Sequence, residues 1–82
     1  MPTVLRFGAN RVVIYFNDHL PAHVHVLGSG NEAVFALNCP GGPVLARENY
    51  GFALRELTRI ATVLLQSVGL LCRAWREIHG IG

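Results

Sequence analysis

Lysine is absent from this chain. All seven basic residues are arginine, set against five acidic residues and four histidines, for a net charge of +2. An excess this small does not by itself mark a nucleic-acid binder, although arginine suits bidentate phosphate contacts better than lysine does. Cysteine is scarce. Cys39 and Cys72 are neither closely spaced nor numerous enough for a disulfide scaffold, and two reduced thiols in a bacterial-type cytoplasm are expected. Long apolar runs are missing as well. The most apolar window, Ile60 to Leu71, contains Thr62, Gln66 and Ser67 and is followed by Arg73, whereas a bilayer span needs about 20 mostly apolar residues. No basic segment leads into an apolar stretch near the N-terminus, so no secretory signal is expected. Gly28-Ser29-Gly30 lacks the lysine and the strand-to-helix setting of a phosphate loop. No pair of carboxylates suggests glycosidase chemistry, and neither cysteine has a nucleophile's setting.

What is present is a short, apolar chain. Its 82 residues suit one domain, 1–82, with 1–47 mainly strands and 52–80 two helices. A chain of this size buries only about 60–65% of its unfolded surface. Yet 51% of the residues are hydrophobic and 15% charged, with a mean hydropathy of +0.37. That balance predicts an apolar surface covered by another chain, either a second copy or a small partner protein.

The pattern along the chain reads as α+β. Thr3 to Phe7 and Arg11 to Phe16 are rich in β-branched and aromatic residues and flank a Gly8-Ala9-Asn10 turn, which predicts a hairpin. His23 to Leu27 and Glu32 to Leu37 flank a second turn, Gly28 to Asn31, and Val44 to Ala46 is short enough for only a brief last strand. A small antiparallel meander of three to five strands results. Beyond Gly51, Leu54, Leu57, Ala61, Leu64 and Val68 form one helical stripe, with Arg55, Arg59, Thr62 and Gln66 on a wetter face. Ser67 is placed to cap a second helix, in which Leu71, Ala74, Trp75 and Ile78 form the buried stripe and which Gly80 and Gly82 end. The expected architecture is the meander followed by two C-terminal helices packed on one face.

The stretch Asn-Asp-His-Leu-Pro-Ala-His-Val-His-Val, residues 17–26, holds three of the four histidines. On a strand His23 and His25 share one face while Val24 and Val26 share the other. Three readings follow. The first is catalytic: His23, His25, His19 and Asp18 as an acid–base group of a metal-independent ribonuclease, since imidazole titrates near neutrality, with Arg11, Arg47, Arg55 and Arg59 as candidate RNA or phosphate contacts. The second is a zinc-like site in which His19 or Asp18 joins His23 and His25, although no metal or other cofactor is assigned from the sequence. The third is structural, with the imidazoles satisfying local polar groups or lining an interface. His79 is read as a favourable charge at a helix C-terminus, and Glu32 as a solvated edge charge.

These residues also carry a resemblance. The opening Met-Pro-Thr-Val-Leu-Arg-Phe-Gly, the histidine block and the later Asn-Tyr-Gly-Phe-Ala-Leu-Arg-Glu-Leu resemble the bacterial domain-of-unknown-function family numbered 4160, from Pro2 to about Trp75. Members of that family often lie beside a small protein of the unknown-function family numbered 2442, an arrangement suggestive of toxin–antitoxin pairs. The resemblance implies a small cognate partner protein; joined to the histidine reading above, it leads to the expectation of a cytoplasmic toxin-like component that cleaves or binds RNA and is neutralised by that partner. A non-enzymatic interaction module and a small histidine-rich metal-binding protein are the alternatives. Two positions depart from the family pattern. Ala22 stands where proline is usual, and Ala53 stands where serine would form a capping box with Glu56. Asn49 is the residue placed to compensate.

Overall fold

The strands pair strictly in chain order. The computed structural model describes residues 2–80 and shows β1 (Thr3–Phe7), β2 (Asn10–Val13), β3 (His23–Gly28), β4 (Asn31–Ala36) and β5 (Leu45–Tyr50) as one antiparallel meander. Two helices follow, α1 (Leu54–Gln66) and α2 (Val68–His79), bent by 75° at their junction. No single helix among the described residues is long and apolar enough to cross a membrane. Gly82, expected to help end the last helix, lies outside the described residues. Gly80 does end it, in the left-handed conformation, with its N–H donating to the Arg76 carbonyl.

Alternation in β3 divides the sheet into two faces. Val24 and Val26 are fully buried in one core with Val12, Ala33 and Phe35 from the neighbouring strands and Ile60, Leu64, Leu71 and Trp75 from the helices. His23, His25 and Leu27 take the opposite, half-buried side. Both helices therefore cover one face and leave the histidines on the other. The stripe on α1 is centred on Ile60 and Leu64, and Leu54, expected within it, is exposed.

Several boundaries differ from expectation for identifiable reasons. The second strand stops at Val13 instead of Phe16 because Tyr15 turns to hydrogen-bond with Asp18. The last strand is longer than the expected 44–46 and runs to Tyr50. All six of its residues are exposed, as on an edge, so it carries no buried alternation to reveal it. At the sheet-to-helix joint, Gly51 has φ +109, and a Cβ there would strike the Asn31 side chain. Asn49 then brackets the approach to α1, accepting from the Phe52 N–H at 3.0 Å and donating to the Phe52 carbonyl at 2.8 Å. Ala53 offers no acceptor, so only the Glu56 half of a capping box forms, with Glu56 accepting the Ala53 N–H at 3.1 Å. Ser67 makes no side-chain capping bond to α2.

The expectation of two reduced thiols is overturned. Cys39, in the β4–β5 connection, and Cys72, on α2, form a disulfide with their Cα atoms 5.8 Å apart. Their sequence separation of 33 hid the pairing, which exists only because α2 packs beside that connection. Closing a loop of that length corresponds to about 3–4 kcal/mol in the chain-entropy treatment. Urea unfolding of the oxidised protein and of Cys39→Ser/Cys72→Ser should differ by about that amount. Equal midpoints would show that the bridge contributes nothing.

Candidate functional site

The turn after β2 builds the site. The Tyr15 N–H donates to Asp18 Oδ2 at 2.9 Å, and the Asp18 N–H donates to the Tyr15 carbonyl at 3.1 Å. This reciprocal pair is a local side-chain turn of the kind aspartate favours. It leaves Asp18 Oδ1 facing the open side of the sheet. There it lies 3.2 Å from His25 Nε2 and 3.4 Å from His23 Nε2. The Asp18, His23 and His25 side chains are only 12–14% exposed.

The other ring nitrogens are engaged too. His23 Nδ1 donates to the Pro21 carbonyl at 2.8 Å, and His25 Nδ1 lies 3.3 Å from Glu32 Oε2. Aromatic contacts fix the ring planes: Tyr15 packs edge-on against His25 with centroids 4.6 Å apart, and Trp75 lies 5.2 Å from His23. Trp75 in turn stacks on His79 at 4.1 Å. His79 thus belongs to an aromatic row that reaches the site through Trp75, beyond its expected place at the end of α2.

Asp18, His23 and His25 offer three ligand-type atoms within 4.8 Å of one another. A cavity of about 530 Å³ opens beside them, lined also by His19, Arg47, Glu48 and Tyr50. Arg47 reaches this wall through a register break: Val34 pairs with Glu48 and Phe35 with Ala46, so Arg47 is the extra residue of a β-bulge. Tyr50 donates to Glu48 at 2.7 Å, and that carboxylate raises the Tyr50 phenol above its ordinary value.

Of the expected site residues, the structure brings Asp18, His23, His25, His19 and Arg47 to one cavity. Arg11 lies on the same open face, since its strand neighbour Val12 pairs into the core and Val13 pairs with His25. Arg55 and Arg59 sit on α1, on the covered side, with Arg59 beside Phe7 and Glu56. Sequence reasoning missed Glu32 as a histidine partner, along with Tyr15, Trp75 and Arg6. Glu32 was findable: with Gly28 paired to Asn31, it falls diagonally across from His25.

The chain belongs to the family described as "Domain of unknown function (DUF4160)", whose profile matches residues 10–76. Comparison with curated proteins and with solved structures returns no match.

Burial alone would push the Asp18 carboxyl up. The Tyr15 N–H bond, the His25 hydrogen bond and the charges of His25 and His23 outweigh burial and hold it below its ordinary 3.8. A folded-state value below the unfolded one contributes stability that is complete above the unfolded value and lost as pH falls through the folded value. Asp18→Asn should therefore be less stable at neutral pH by about 1.5–3 kcal/mol. Its urea midpoint should also fall less steeply than wild type on acidification below about pH 4. Parallel pH curves for the two proteins would contradict this account of the turn.

Proposed function

We propose that the protein is the toxin-like member of a two-component bacterial module. It binds single-stranded RNA across the open face of the sheet, with Asp18, His23 and His25 as the reactive centre. The observation that carries the reading is the placement of unpaired arginines. Arg6 and Arg11 stand directly opposite each other on β1 and β2, a like-charge pairing that costs stability in a sheet. Among the described residues, no arginine forms an ion pair with a carboxylate; the close ion pairs involve only histidines. Arg6 and Arg11 lie to one side of the histidines on the open face, and the bulged Arg47 lies in the site cavity. Guanidinium groups left without carboxylates suit a chain of phosphates, which they grip in bidentate fashion.

The same face supports a neutralising partner. Phe16, Leu20 and Tyr50 are 69%, 53% and 61% exposed, and Leu20 and Tyr50 line the site cavity while Phe16 lines an adjoining one that shares Asp18 and His19. Large apolar groups around a polar site fit a small protein seated over its mouth.

Anisotropy of a labelled single-stranded RNA tests the reading. Arg11→Gln/Arg47→Gln is expected to weaken binding at least about tenfold and to lower the log–log salt slope by about 0.7 for each phosphate no longer neutralised. His23→Ala is expected to abolish cleavage and growth arrest while binding persists. Binding that ignores both salt and the two arginines would sink the proposal.

A further inference from the structure

We propose that Asp18 Oδ1, His23 Nε2 and His25 Nε2 are the three protein ligands of a zinc-class divalent metal ion, with a further coordination position open to the cavity. The inference goes beyond the RNA reading and does not rest on it. It begins with proton accounting. A backbone carbonyl carries no proton, so the 2.8 Å contact with Pro21 requires the hydrogen of His23 to sit on Nδ1. In the neutral ring Nε2 is then a bare lone pair, and it faces a carboxylate oxygen 3.4 Å away. His25 has acceptors at both nitrogens, Glu32 at 3.3 Å and Asp18 at 3.2 Å, but a neutral imidazole has one proton to share between them. With that proton directed at Glu32, a second Nε2 lone pair faces Asp18 Oδ1. Asp18 Oδ1, His23 Nε2 and His25 Nε2 thus converge, as ligand-type atoms within 4.8 Å of one another. A single cation placed among them would meet two imidazole nitrogens and one carboxylate oxygen.

The donor set, with the distances, fits one class of cation. Zinc bonds of about 2.0–2.2 Å to nitrogen and oxygen, at tetrahedral angles, place adjacent ligand atoms about 3.3–3.5 Å apart. The two Nε2–Oδ1 separations are 3.2 and 3.4 Å. Octahedral magnesium, at about 2.0–2.1 Å and right angles, requires about 2.8–3.0 Å and prefers oxygen. Two imidazoles and one carboxylate suit a transition metal. The surrounding groups fit as well: metal-binding histidines commonly donate their second N–H to a carbonyl or carboxylate, as the Pro21 carbonyl and Glu32 are placed to accept here. Three protein ligands beside a solvent-accessible cavity match sites that keep a place for water or substrate.

The test uses the full chain, stripped of metal and supplied with zinc or cobalt(II) alone. One equivalent should bind, cobalt should show the intense visible absorption of a tetrahedral complex, and magnesium should not compete. Cobalt should also quench the fluorescence of Trp75, the single tryptophan, which lies 5.2 Å from His23. His23→Ala and Asp18→Asn should abolish binding, and Glu32→Gln should weaken it by about 10–100-fold. Because either ligand variant could unfold, the wild-type measurements stand as the independent check. No stoichiometric uptake by the folded wild-type protein, or uptake without quenching of Trp75, would overturn the assignment. So would a folded His23→Ala that binds as wild type does. RNA binding need not be present for any of these outcomes to be read.

Discussion

The hydrogen bond from the Tyr15 N–H to Asp18 Oδ2 is the constraint on which the open face depends. It ends β2, turns the chain, and commits one oxygen of the carboxylate to the backbone. The remaining oxygen is thereby held at a fixed place over β3. An exposed aspartate on a loop would sample many rotamers. This one is nearly buried and held at both ends, so the imidazoles meet a carboxylate whose position is set by the fold. The same bond explains why five successive apolar residues, Val12 to Phe16, do not make one long strand.

β3 connects this arrangement to stability. Val24 and Val26 are fully buried in the core that holds Trp75 and Phe35, and His23 and His25 alternate with them on the other side. A slip of one residue in the register of β3 would drive both imidazoles into the core and both valines out of it. Core packing therefore enforces the position of the histidines, and no polar device along the strand has to specify it. Every ring nitrogen of the two histidines already faces a protein acceptor.

Much of this was legible in the sequence because it depends on local periodicity. The alternation of His23 to Val26, the two hairpin turns and the helical stripes all use residues within one turn or strand of each other. The meeting of Asp18 with both histidines was foreseeable in outline, since Pro21 and the turn keep them close. What could not be read depends on register or on packing between layers. Glu32 meets His25 only through the pairing of β3 with β4, Arg47 enters the cavity only through a bulge, and Trp75 approaches His23 only because α2 lies where it does. Cys39 and Cys72 are the extreme case, since neither carries a local signal of the other.

The strict chain order of the meander has a consequence for how the molecule comes together. Asp18 and Glu32 each lie seven residues from His25 along the chain, whereas the disulfide spans 33. Loop-closure entropy rises with separation, so the cluster is closed at a lower entropic cost than the disulfide that anchors α2. The polar centre is encoded within two adjacent strand connections, while the helices pack on the other face of the same sheet.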